Sequence, residues 1–130
     1  MKKILWLVFF CLLLSGCKKN PFDYRTKFIG KFNFSVHNTV WTLSGPTLDT
    51  TYSYSGEIQN GSENNTILIT FSENVSIEAT IYEDGTLDNC ICSHYGYLKG
   101  EFESTKKIHF SYRSGGLGGG SYRIVTGEKK

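Results

Sequence analysis

The sequence predicts an all-β domain, an antiparallel up-and-down meander of seven or eight strands closed into a small barrel, with a β-sandwich as the alternative. Three observations carry this expectation. Apolar and polar residues alternate with period two along most of the chain. Turn-forming residues interrupt these runs about every 8–12 residues, the spacing of a strand meander. The composition favours strands, with nine phenylalanines, eight tyrosines and a single alanine, Ala79. After residue 17 no window holds apolar residues at i, i+3, i+4 and i+7 over three turns, so essentially no helix is expected.

Each strand can be justified in order. Phe28, Phe32, Phe34, Val36 and Val40 share one parity and Lys31, Asn33, Ser35 and His37 the other, a long strand over about 27–41 bent at Gly30. Ser44-Gly45-Pro46 ends it. Tyr52, Tyr54, Gly56 and Ile58 mark a second strand, stopped by Asn60-Gly61. Ile67, Ile69 and Phe71 mark a third, and Glu73-Asn74 turns it into Val75, Ile77, Ala79 and Ile81 of a fourth. Glu83-Asp84-Gly85 makes the next turn, with the glycine supplying a positive φ. Leu87 opens a short fifth strand. The sixth runs from about Tyr95 to Glu103, the seventh carries Ile108, Phe110 and Tyr112, and the last carries Tyr122, Ile124 and Thr126. The glycine-rich stretch Arg113 to Gly120 between these two is expected to be a mobile hairpin loop. It is no phosphate loop, because it lacks a Lys-Ser/Thr ending and a following helix.

The N-terminus has a different character. Met1-Lys2-Lys3 is followed by the apolar run Ile4 to Leu14 and then Leu14-Ser15-Gly16-Cys17. The run is too short to span a bilayer, which needs about 20 residues, and it has the layout of a secretory signal peptide. Its ending resembles the lipobox of bacterial lipoproteins. The resemblance implies cleavage before Cys17, acylation of Cys17 and membrane attachment through that anchor. The expected location is the cell envelope, at the outer membrane, on either its periplasmic or its surface face. Several acyl chains hold a protein stably where one does not. On this reading residues 1–16 are the signal, 17–26 the lipidated cysteine and tether, and 27–130 a single barrel domain. Without Lys2 and Lys3 the acidic and basic side chains balance. The chain has no basic patch of the density nucleic acid requires.

The opening Phe28-Ile29-Gly30-Lys31-Phe32, followed by the meander, resembles the lipocalin-like (calycin) small barrels, which begin with a Gly-x-Trp element. Here Phe32 stands at the tryptophan position and Trp41 comes too late to replace it. The resemblance implies the barrel topology and brings no ligand with it. The whole chain also looks like the small lipoproteins of Gram-negative bacteria.

Candidate chemistry is sparse. Asp88, Cys90, Cys92 and His94 would face one way in an extended strand. Cys90, Cys92 and His94 could hold a soft or borderline metal such as Zn²⁺ or Cu⁺. Alternatively Cys90 and Cys92 form a disulfide, which a two-residue spacing of about 6.6 Å allows only with a kink. His37, His94 and His109 are scattered, and no Ser-His-Asp or paired-carboxylate set is legible, so no enzyme activity and no cofactor are expected. The acidic side chains read as a solvated face. The tyrosines suggest a binding surface, with Tyr52, Tyr54, Tyr95, Tyr97 and the isolated Leu117 as its candidates.

The leading reading is therefore a non-catalytic binding module. It would take a small apolar ligand among Phe32, Phe34, Ile69, Ile77 and Phe110, or an envelope protein on the tyrosine-bearing face. A structural or inhibitory envelope protein with a filled barrel is one alternative, and a thiol or metal site at Cys90, Cys92 and His94 is the other.

Overall fold

Strands that are apolar on one face only must bury that face, and the chain does so by rolling a single sheet closed. The computed structural model describes residues 22–89 and 96–130. A 3-10 turn at Tyr24–Lys27 precedes eight strands: β1 (Gly30–Thr42), β2 (Gly45–Asn60), β3 (Thr66–Ser72), β4 (Val75–Ile81), β5 (Thr86–Asn89), β6 (Gly96–Ser104), β7 (Lys107–Gly116) and β8 (Gly119–Lys129). Each strand pairs antiparallel with the next, and β8 returns to β1 over Phe32↔Lys129 to Thr42↔Gly119. The result is the up-and-down barrel that the alternation predicts; the sandwich is not formed.

The inward parity is the apolar one except in β8, where Val125 points inward and the expected markers Tyr122 and Ile124 stand exposed on the outside. Phe32, Phe34, Val36, Ile58, Ile67, Ile69, Phe71, Ala79, Ile81, Leu87, Leu98, Ile108, Phe110 and Val125 are buried inside. An eight-stranded barrel has an interior just wide enough to be filled by side chains or to hold one small ligand. Here the lower part is filled. Phe32 stacks on Phe34 at 5.8 Å, and Phe71 meets Phe110 edge-on at 5.3 Å. Such ring pairs add about 0.5–1.5 kcal/mol beyond their buried area.

The end from which β1 starts is closed by the N-terminal segment. Phe28 packs on Phe102 at 4.4 Å, and the Tyr24 hydroxyl donates to the Ile81 carbonyl at 2.8 Å. Arg25 is buried and donates through Nη1 to the carbonyls of Glu63 (2.7 Å) and Thr66 (2.9 Å), while Asp23 grips its other nitrogens. Residues 23–26, assigned to the tether from sequence, are thus part of the folded unit. The Arg25 guanidinium adds a second partner to carbonyls that already accept within the turn between β2 and β3, Thr66 O from Gly61 N and Glu63 O from Thr66 N.

The glycine-rich stretch also differs from expectation. It is strand rather than loop: β7 continues to Gly116, β8 resumes at Gly119, and only Leu117-Gly118 forms the turn. The positive φ of Gly115 (116°) and Gly119 (146°) lets the ladder run to the tip, where β8 also pairs with β1.

Glu78 departs from the solvated face expected of the acidic residues. Its Oε1 accepts from Ser62 N, Ser62 Oγ and Thr66 Oγ1 in the same turn that Arg25 holds. Burial pushes its carboxyl up, but the hydrogen bonds from Thr66 and Ser62 outweigh this and hold it below the usual range.

Candidate functional site

At the far end the interior opens. Val36 and Val125 are fully buried, Asn38 two residues further along β1 is 9% exposed, and the inward Leu48 on β2 is 48% exposed. The wall is also incomplete on one side. β2 pairs with β3 only over Glu57–Asn60, so among the described residues its first part is laddered to β1 alone. Tyr52 Oη, 2.8 Å from Ser72 Oγ, spans that gap with a hydrogen bond.

Toward this end the buried apolar interior gives way to polar side chains. Register places Asn38 beside Arg123 and Arg123 beside Tyr112, one step above Val36, Val125 and Phe110. Ser114 Oγ and Ser121 Oγ lie 2.9 Å apart nearer the tip. Asn38 Oδ1 and Arg123 Nε are buried, and neither finds a hydrogen-bond partner among the described residues. Each such orphan costs about 1–3 kcal/mol. One is an acceptor and the other a donor. A hydroxyl group between them would accept from Nε–H and donate to Oδ1.

On the outer wall of the same end, Tyr97, Arg113 and Tyr122 form a row of register partners across β6, β7 and β8. The Arg113 guanidinium stands 5.1 Å from the Trp41 ring centroid, and the ring lies over Gly120, where a Cβ would come within 2.7 Å of it. Trp41, Tyr97, Arg113 and Leu117 line a depression of about 880 Å³.

The structure divides the residues singled out from the sequence. Tyr52 and Tyr54 point inward and pack against the core, because they oppose Val36 and Phe34 on β1. Tyr97 and Leu117 lie outside, exposed. The single tyrosine-bearing face is therefore corrected to two opposite surfaces. Parity alone could have separated them, since Tyr52 and Tyr54 share their register with the buried Ile58. Cys17, Cys90, Cys92, His94 and Tyr95 lie outside the described residues. Among the described residues no group of three His, Cys, Asp or Glu side chains is placed to hold a metal. No helix among them is long and apolar enough to cross a membrane.

Sequence reasoning missed Asn38, Arg123, Trp41 and Arg113. Asn38 did carry a signal, as a polar residue on the apolar parity of β1, whereas Arg123 carried none, since β8 reads as apolar at Tyr122 and Ile124. His37 accumulates partners too, with Nδ1 2.9 Å from Thr51 Oγ1 and Nε2 3.2 Å from Asp49. That trio lies exposed on an outer face, with no enclosed cleft around it to exclude water.

No protein-family model matches the chain, and no curated protein sequence matches it. Among solved structures the chain is similar to one titled "Odorant Binding Protein OBP1", at 13% identity over 81% of this chain and 73% of that chain, with a TM-score of 0.46.

Proposed function

We propose that the protein is a non-catalytic binding module of the bacterial cell envelope, held to the membrane through Cys17, and that it takes a small apolar molecule bearing a hydroxyl group. The ligand enters at the open end and places its hydroxyl between Asn38 and Arg123. The observation that carries this reading is the buried, unpartnered pair Asn38 Oδ1 and Arg123 Nε. Burying a donor and an acceptor side by side is unfavourable unless something polar joins them. Anchoring rests on the lipobox resemblance, and Cys17→Ser is expected to move the protein from the membrane to the soluble fraction.

The test is native mass spectrometry of residues 18–130, exported to the periplasm and purified without detergent. An adduct is expected, and Arg123→Leu should weaken its retention about tenfold or more while the far-UV spectrum stays that of the barrel. A bare mass would sink the ligand reading and favour the second one, a structural or inhibitory barrel presenting its surface to another envelope protein. The filled lower interior supports that alternative. The same spectrum reads the thiols, since a mass two protons light would mean a Cys90–Cys92 bridge.

A further inference from the structure

We propose that the rim of the open end is a membrane-docking surface for an anionic lipid bilayer. The tips of the β1–β2 and β7–β8 hairpins would enter the boundary between headgroups and acyl chains. These tips are neighbours, because Thr42 and Gly119 are register partners. Each carries one leucine at its apex, Leu43 86% exposed and Leu117 fully exposed. Exposing a leucine to water forgoes most of its burial free energy, so two adjacent apices of this kind call for an apolar occupant.

The residues behind the apices name the occupant. Residues 40–48 and 114–122 contain no charged side chain. One step down the wall come Trp41, Tyr97 and Tyr122, the side chains that settle at headgroup depth because one end is apolar and the other wet. Arg113 lies in that row, its guanidinium over the Trp41 ring and its length sufficient to reach a lipid phosphate. Asp49 shares the row through Thr39, but its carboxylate is turned to His37 at 3.2 Å. Only further down does the wall become densely charged, with Lys99, Glu101 and Glu103 on β6 and Lys107 on β7. Apolar tip, aromatic belt, single cation and then mixed charge is the order of a bilayer interface read outward from the acyl chains. The rim lies at the opposite end from Phe22, so this contact is separate from an anchor at Cys17.

Trp41 is the sole tryptophan of residues 18–130, the other being Trp6, so its fluorescence reports directly on the rim. Residues 18–130 are titrated with vesicles of phosphatidylcholine, with and without phosphatidylglycerol. The Trp41 emission should shift to the blue on the anionic vesicles and be quenched by lipids brominated high on the acyl chain. The double variant Leu43→Asp, Leu117→Asp should lower the partition constant about tenfold or more, with the far-UV spectrum unchanged. Arg113→Gln should lower it about fivefold on anionic vesicles only. An emission that ignores anionic vesicles overturns the proposal, and so does undiminished binding by the double variant. A dimer in sedimentation that the double variant dissociates would give the rim to a second copy of this chain, and the lipid assignment would fall.

Discussion

Valine at position 56 is expected to prevent the barrel from closing, whereas Gly116→Ala should leave its stability within a few tenths of a kcal/mol of the parent. Gly56 lies where β2 stops pairing with β1 alone and takes up β3, the first rung being Glu57↔Thr70. The Thr70 carbonyl comes down on the strand at this point. A Cβ at position 56 would lie 1.9 Å from Thr70 O and 3.1 Å from Phe34 Cε2. The obstacle is backbone, so no side-chain rotation relieves it. Either β3 moves away by more than an ångström and the short β2–β3 ladder is lost, or Phe34 leaves the core. Gly56→Ala should already cost at least about 3 kcal/mol, a fall of roughly 12–20 °C in melting temperature for a domain of this size. Valine adds two methyls to the same clash, and native domains hold only about 5–15 kcal/mol in all. At Gly116 an added Cβ meets nothing within 4 Å. Thermal melts followed by far-UV circular dichroism decide the matter. A Gly56→Val protein melting within a few degrees of the parent would mean that β2 and β3 do not approach as described.

Arg25→Leu is expected to destabilise the fold by about 3 kcal/mol, the cost of removing one member of a buried pair. Three groups lose a charged donor together: the Asp23 carboxylate, bonded at 2.9 and 2.7 Å and left with only the backbone N–H of residue 25, and the carbonyls of Glu63 and Thr66, left with their bonds inside the turn. The effect should also depend on pH in a definite direction. The hydrogen bonds from Arg25 hold the Asp23 carboxyl below its ordinary value in the folded protein. A group with a depressed folded value stabilises fully above the unfolded carboxylate value, about pH 4, and loses that contribution as pH falls through the folded one. Urea midpoints measured at pH 7 and again below pH 4 should therefore differ less for Arg25→Leu than for the parent. Some acid sensitivity should survive, because Glu78 holds the same turn through Ser62 and Thr66 and is likewise depressed. Equal midpoints for variant and parent at pH 7 would show that the N-terminal segment is not a stabilising part of the barrel.

Much of the fold was legible because a strand's side-chain period is two whatever its surroundings. Phe32, Phe34, Ile69, Ile77 and Phe110 could be placed inside from parity alone, and they are inside. The turns at Glu73-Asn74 and Asp84-Gly85 follow from residues that tolerate positive φ, observed at Asn74 (58°) and Gly85 (91°). The candidate site was less legible. Grouping the tyrosines by residue type joined Tyr52 and Tyr54 to Tyr97, though their parities assign the first two to the interior.

The sequence by itself determined which face of most strands is buried, where most of them turn, and thus an up-and-down sheet with an aromatic core; in β8 it pointed to Tyr122 and Ile124, which stand exposed. These properties are local, set by alternation and by turn chemistry over a few residues. Only the tertiary structure decided that Arg25 docks on the turn at Glu63–Thr66, that Asn38 and Arg123 share a buried rung, and that Trp41 meets Arg113 above Gly120. It also decided that the glycine-rich stretch is strand, because the ladder there is completed by β1, nearly eighty residues earlier in the chain. All but the Arg25 contact depend on closure of β8 onto β1, and the register of that distant pairing is set by packing the whole interior at once.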